Sequence, residues 1–278
     1  MGSMIKWGVI LAGVLSAQAC TPSSNWVLVD NFESSSQSEL WTHIDTQNET
    51  DPFVPDPQIA ETREESGRDN HYLLRKPAAD GVVGNRKAIS FRALPNAIPL
   101  GETYTLYTRV NVESFPNNHS FGLSNLAESD IAEQGYDMFE PMIRITDKAE
   151  SDGSKNDGTL MVLSGYKTYA KIENPLSGIT ASPMTPGQWY ELWAVINNAP
   201  KAEGGQTYDL YVRGGEFASQ QRAFSGAVFR MNRDAPLRAF MAISNTGPKK
   251  QPYGNGGCLL YTSPSPRDRT RSRMPSSA

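Results

Sequence analysis

The sequence predicts an all-β chain, built as antiparallel sheets packed face to face or closed into a barrel. Three observations carry that prediction. Apolar and polar residues alternate with a period of two in about a dozen runs after Trp26, the repeat of a half-buried strand. Gly, Pro, Asn and Asp bound those runs, as in ESGRDN at 65–70 and AEGGQ at 202–206. The one helical pattern is short, near 127–134. At 278 residues and 38% hydrophobic content the chain can bury a sizeable core. No repeat and no Pro/Ser linker interrupts 26–257, which reads as one β-sandwich domain.

In chain order, strands are expected at 26–33, 40–46, 57–63, 71–76, 87–93, 103–113, 119–124, 141–147, 159–164, 167–173, 188–197, 207–213 and 237–245. Alternation assigns their faces. In 103–112, Tyr104, Leu106, Val110 and Val112 oppose Tyr107, Arg109 and Asn111. Ile143 and Ile145 oppose Arg144; Leu210 and Val212 oppose Tyr211 and Arg213; Leu237, Ala239, Met241 and Ile243 oppose Arg238, Phe240 and Ser244. Each such strand buries one face and presents aromatic, Arg or amide groups on the other. A sheet carrying that second face suits sugars, with flat rings for stacking and forked donors for hydroxyls or carboxylates. Tyr107, Arg109, Asn111, Asn118, Arg144, Trp193, Tyr211, Arg213 and Arg238 are therefore the candidate ligand-binding residues.

The N-terminus has its own logic. Lys6, an apolar run from Trp7 to Ala17 and then small residues form a secretory signal over 1–19. Ala17-Gln18-Ala19 fits small-x-small cleavage, releasing a chain that begins at Cys20, with a polar tether over 20–25. Bacterial lipoprotein signals also end immediately before a Cys, and lipidation of Cys20 would anchor the protein to the outer membrane. Their usual Leu three residues earlier is here Ala17, so a soluble periplasmic or secreted form is the alternative. Cys20 and Cys258 are the only cysteines, too few for a disulfide framework.

The VLVDNFES…LWTHID opening, the GETYTLYTRVNV and PGQWYELWAVIN runs, TYDLYV, and the NTGP…PYGNGG approach to the end resemble the concanavalin A-like lectin/glucanase jelly rolls. The resemblance spans about 26–257 and implies a two-sheet jelly-roll sandwich. It also implies a structural Ca2+ where the first and last strands meet, with Asp30 and Glu33 as contributors. The family holds lectins, non-catalytic carbohydrate modules, glycosidases and alginate-type lyases, so the fold alone selects no activity.

Four constellations could carry chemistry. Glu128, Asp130 and Glu133 match the Glu-x-Asp-x-x-Glu spacing that places two carboxylates on one strand face in retaining glycosidases of this fold. Their flanks read instead as a solvated turn or short helix. Arg109, Asn117, Asn118, His119, Tyr166 and Tyr169 supply the residue types of a polysaccharide lyase: a cation or amide, a base and a phenol acid. Of the motifs of such lyases only QIA at 58–60 and GYKTYAK at 165–171 are echoed, and His119 alternates with Phe121 and Leu123 as a core residue would. Trp189, Glu191 and Trp193 share a face that is either a stacking platform or sandwich core. Asp147, Asp152 and Asp157 could hold Ca2+, but without the regular Asp-x-Asp-x-Asp-Gly order, so a hydrophilic turn is the plainer reading.

The expectation is a cell-envelope, non-catalytic jelly-roll protein that recognises an anionic polysaccharide. The alternative is a polysaccharide-degrading enzyme of the same fold, an alginate-type lyase or retaining glycosidase; a purely structural envelope protein is the third reading. Nucleic acid is not an expected partner. The formal charge is −4, and the four Arg of the tail set against its one Asp leave the rest at about −7. Residues 258–278 lack any period and resemble translated sequencing-adapter read-through, so a closing strand beside 26–33 is expected to be missing.

Overall fold

The computed structural model describes residues 26–34, 39–150 and 153–261. The signal, Cys20, the tether, Asp152 and the tail from 262 onward lie outside the described residues.

Sixteen strands are described: β1 Thr42–Asn48, β2 Ile59–Glu64, β3 His71–Lys76, β4 Asn85–Ile98, β5 Thr103–Val112, β6 Asn118–Ser124, β7 Met142–Thr146, β8 Leu160–Gly165, β9 Thr168–Lys171, β10 Glu173–Asn174, β11 Ile179–Thr180, β12 Trp189–Asn197, β13 Thr207–Gly214, β14 Phe217–Val228, β15 Leu237–Ser244 and β16 Cys258–Tyr261. One helix, α1 Glu128–Gln134, stands where the single helical pattern was read. The first sheet has the order β1-β4-β15-β6-β7-β8-β9, the second β14-β13-β12-β5-β16-β3-β2, and β10 pairs with β11 apart from both. Every pairing is antiparallel and the chain passes repeatedly from one sheet to the other, so the protein is a two-sheet jelly-roll sandwich.

Alternation accounts for the core. Val110 and Val112 of β5, Leu192, Ala194 and Ile196 of β12, and Leu210 and Val212 of β13 meet Phe121, Leu123, Ile143, Ile145 and Val162 of the first sheet. A second apolar cluster lies on the other face of the first sheet. There Ile89, Phe91, Met142, Leu163, Ala239, Met241 and Ile243 are roofed by Ile131 of α1 and by Met138 and Phe139 of the 3-10 turn Gly135–Met138 and its exit. Gly122 makes the close approach beneath this roof possible, since a Cβ there would lie 2.0 Å from the Pro141 carbonyl oxygen.

Four expectations are corrected. The face of 237–244 read as the buried one is split: Leu237 faces the core between the sheets, but a register shift before Ala239 turns Ala239, Met241 and Ile243 outward under the roof and puts Phe240 and Ala242 in that core. Residues 26–33 form no strand. The Asp30 carboxylate accepts from the Phe32 N–H at 2.8 Å, and Phe32 adopts φ +56°, so the backbone leaves the extended region. The segment is a strap instead, its Val29 and Phe32 buried in the core between the sheets. Residues 217–228, which show little alternation, form β14; it lies at the edge of the second sheet with register shifts against β13, and an edge strand tolerates polar residues on both faces. The closing strand expected to be absent is present in another place. Cys258–Leu260 pair with Arg75–Leu73 of β3 on one side and with Val112–Val110 of β5 on the other. Inserting them satisfies backbone groups of two strands that would otherwise lie exposed inside the sheet. Position 258 is thus no structural seam.

Asp30 is buried outright. Its carboxylate pairs with Arg92 of β4 and accepts from Trp41 Nε1 at 2.7 Å. Removing one partner of a buried pair leaves an uncompensated charge. Asp30→Ala is expected to cost about 3–5 kcal/mol in urea unfolding, whereas Glu61→Ala, whose pair with Arg63 is exposed, should change stability by less than about 1 kcal/mol.

His119 is buried on the core face of β6. Its Nε2 lies 2.8 Å from the Gly256 carbonyl oxygen, and burial pushes its pKa from 6.5 down to about 3. The unfolded chain therefore binds a proton that the folded chain refuses, and stability falls as pH drops from 6.5 towards 3. By pH 5 the loss from this one group is about 2 kcal/mol. His119→Gln should flatten the acid limb of a stability–pH curve by about that amount.

Candidate binding groove

The outer face of the first sheet changes character along its strands. One row across it is apolar: Phe91, Met241, Gly122 and Met142 lie side by side in register. The next holds Ile89, Ile243, Ser120 and Arg144, and beyond it lie Lys87 on β4 and Asn118 on β6. The roof of α1 and the 3-10 turn covers the apolar end and leaves the polar end open. A cleft of about 330 Å³ stands there, lined by Arg86, Lys87, Asn118, Tyr136, Arg144, Lys148, Glu150, Tyr169, Arg230, Asn245 and Tyr253 among others. That volume is at the small end of ligand clefts, which run from about 300 to 1,000 Å³.

Local structure fixes each group. Arg144 is buried, with its guanidinium 4.7 Å from the centre of the Tyr169 ring; Nη2 is 3.4 Å from Asn118 Oδ1 and Nη1 is 2.7 Å from Glu150. Arg230 enters from the loop after β14. It donates to Asp137 Oδ1 from Nε at 3.1 Å and to the Tyr169 hydroxyl from Nη1 at 3.1 Å. That loop is held by the buried Glu140, which accepts from the backbone N–H groups of Met231, Asn232 and Arg233 at 2.9–3.3 Å and from the Asn125 and Arg233 side chains. The Tyr136 hydroxyl accepts from Asn245 Nδ2 at 2.9 Å and from Asn118 Nδ2 at 3.5 Å. Burial pushes its pKa up to about 12, against the opposing pull of Arg144. Lys87 lies against the end of α1, where a Cβ on Gly135 would come within 2.5 Å of its Nζ.

Several donors are left unspent. Tyr136 and Tyr169 each accept hydrogen bonds, but neither phenol proton has an acceptor among the described residues. No hydrogen bond or ion pair holds the Lys87 ammonium among the described residues, and Arg144 Nε is buried without a partner. Aromatic faces are already in use: Arg144 covers Tyr169, and Lys148 Nζ lies 5.1 Å over Tyr253. The lining carries five cations against Glu150, and Glu49 and Asp137 pair with Arg86 and Arg230. Two positive charges remain in excess. This cleft can bind an anion through charge and hydrogen bonds better than it can stack a neutral ring.

The sequence-predicted ligand residues do not share one face. Asn118 and Arg144 are in the groove. Tyr107, Arg109, Asn111, Trp193, Tyr211 and Arg213 lie on the outer face of the second sheet, opposite in alternation to its core residues. Trp189 and Glu191 lie there too, which resolves their orientation: Tyr190, Leu192 and Ala194 are the core residues. That second face is largely satisfied by itself. Arg109 forks to Glu65 at 3.2 Å and lies 4.5 Å over Trp189, Tyr107 packs against Trp193 at 5.2 Å, and Arg213 pairs with Glu191. Arg238 is exposed at the start of β15, whereas the groove adjoins the far end of that strand, ~20 Å away.

The acidic candidates also disperse. Glu128, Asp130 and Glu133 are exposed on α1, not on a strand, so successive residues turn by about 100° and Glu128 and Asp130 leave on different sides. Glu33 bonds His71, at 2.7 Å from its Nδ1, while Asp30 is committed to Arg92 and Trp41, so each carboxylate is engaged by partners of its own. Asp147 accepts from the Asn117 N–H, and Asp157 pairs with Lys171. Among the described residues no cluster of three or more His, Cys, Asp or Glu is placed to hold a metal.

Lys87, Tyr136, Lys148, Glu150, Arg230 and Asn245 were not singled out from sequence. For Lys87 the signal was available, since it shares the parity of Ile89 and Phe91. The others stand in turns or loops, where no period reports orientation.

No family model and no curated protein matches the chain. Solved structures similar to it include the marine PL-14 alginate lyase from Aplysia kurodai, with 14% identity and a TM-score of 0.43, covering 73% of this chain and 85% of that one. The VIP36 exoplasmic/lumenal domain, in a Ca2+/Man3GlcNAc-bound form, is 10% identical with a TM-score of 0.40, covering 84% and 90%. Peanut lectin is 7% identical with a TM-score of 0.40, covering 80% and 99%. The jelly-roll assignment rests on the strand order above rather than on these likenesses.

Proposed function

We propose that the groove on the outer face of the first sheet binds an anionic polysaccharide of the uronic-acid class, without chemistry. The observation that carries this reading is the surplus of cations and unspent donors in a cleft whose aromatic faces are already covered. A uronate offers a carboxylate for Arg144 and the Lys87 ammonium, and hydroxyls for the phenol protons of Tyr136 and Tyr169. Export with a lipid at Cys20, as read from the N-terminal residues, would display the groove at the cell envelope. Palmitate incorporation that is lost in Cys20→Ser would support the anchor.

One observation favours a second reading, an alginate-type lyase. β-Elimination needs a neutralised carboxylate, a base for the C5 proton and an acid for the leaving oxygen, and Tyr136 and Tyr169 stand beside Arg144 and Lys87 in the lining. A phenol held up to about 12 is a donor at neutral pH, suited to the acid role and poorly to the base role. His119, whose pKa lies near 3 inside the core, supplies no base to the groove. Binding without catalysis is therefore the favoured reading.

Titration with polyguluronate and polygalacturonate tests both. Arg144→Ala is expected to weaken binding at least tenfold, about 1.4 kcal/mol, and affinity should fall as salt rises. Growth of ultraviolet absorbance from an unsaturated product, abolished in Tyr136→Phe, would replace the binding reading with the lyase. Absence of any uronate-polymer binding by the folded protein would remove both.

A further inference from the structure

Glu150 already sits on the cations that a ligand carboxylate would seek. Its Oε1 is 2.7 Å from Arg144 Nη1 and its Oε2 is 2.5 Å from Lys148 Nζ. Asn156 Nδ2 donates to Oε1 at 2.7 Å. This carboxylate comes from a turn beside the groove rather than from a strand of its floor, with Ala149 bridged to Lys155. The Arg144 side chain is 6% exposed and that of Glu150 28%, so the acid is the more accessible member of the pair. A ligand carboxylate bound to Arg144 Nη1 would have to take the place of Glu150. Burial works to raise the Glu150 pKa, but Lys148 and Arg144 outweigh it and hold the group below its ordinary value, so it stays charged at neutral pH.

From this arrangement we infer that Glu150 occupies the carboxylate subsite of the groove as a built-in competitor that a polyuronate must displace. The inference rests on the polyuronate reading and adds how the site selects among such ligands. A single uronate would exchange one ion pair for another and gain little. A polymer that also engages Lys87 and Arg230 holds its next carboxylate at high effective concentration and can win the exchange. The groove would thus discriminate polymer from monosaccharide through a charge of its own. A purely orienting role makes the opposite forecast, because losing Glu150 would then loosen Arg144 and weaken binding.

Calorimetric titration of wild type, Glu150→Gln and Glu150→Ala with polyguluronate, polygalacturonate and monomeric glucuronate separates these cases. Glutamine retains an acceptor for Asn156, and thermal melts check that both variants fold. The expected result is about tenfold tighter polymer binding in both variants, measurable monomer binding that wild type lacks, and a steeper loss of affinity with salt as Arg144 and Lys148 become available. Wild type binding a polymer while both folded variants bind it equally or more weakly overturns the inference and leaves the polyuronate reading standing. No binding of any polyuronate by any of the three folded proteins overturns the reading and the inference together.

Discussion

The Glu140 carboxylate, buried at the exit of the 3-10 turn, takes five hydrogen bonds from Asn125 and from the loop 231–233. The open half of the first sheet depends on it. The loop after β14 has no strand partner of its own at this point, and Glu140 supplies the acceptors its backbone needs. Fixing that loop fixes Arg230, which in turn holds Asp137 of the roof and the hydroxyl of Tyr169 on β9. One buried acid thereby joins the roof, the loop and an edge strand into the wall of the groove. Burial pushes the Glu140 pKa up, and only its dense set of partners makes an ionised group tolerable there.

The two outer faces show how similar residues come to different uses. On the second sheet, Arg109 meets Glu65 of the turn after β2 and the Trp189 ring of β12, Arg213 meets Glu191 and Trp193 of β12, and the charges close on each other. On the first sheet the nearest acids are fewer than the cations, and the roof ends before covering Lys87 and Arg144. An overall charge of −4 does not forecast such a patch. Net charge averages over the surface, whereas recognition depends on which charges the fold places within a few ångströms of one another.

How much was legible in the sequence is clearest from individual residues. Leu210, Val212 and Ile143 were readable as core because strand alternation is a local property that survives any choice of partner. His119 was readable as core for the same reason. Helix α1 was readable because its acidic residues lack a strand's alternation. The strap at 26–33 was misread because the continuous apolar run Trp26–Val29 is what a buried strand also shows, and a single Asp30-centred turn breaks the strand. Residues 258–260 were set aside because they adjoin a tail without a period, yet three apolar residues suffice when both neighbouring strands offer unpaired backbone. Tyr136 and Arg230 were invisible, since turn residues carry no periodic mark of the direction they face.

By itself the sequence determined the kind of structure: strands, the core-facing parity of those with one apolar face such as β5, β7 and β13, and a sandwich as the way to bury them; β15, apolar on both faces, was beyond it. Those follow from two-residue periodicity and from turn-forming residues, both of which act over a few positions. Only the tertiary structure decided which sheet each strand joined. Arg109 and Arg144 carry the same local pattern, yet one lies against β12 in the second sheet and the other between β6 and β8 in the first. The physical reason is that strand partners are chosen by long-range pairing and by the packing of two whole faces. The convergence of Lys87, Tyr136, Arg144 and Arg230 therefore comes into being only when the sheet is assembled.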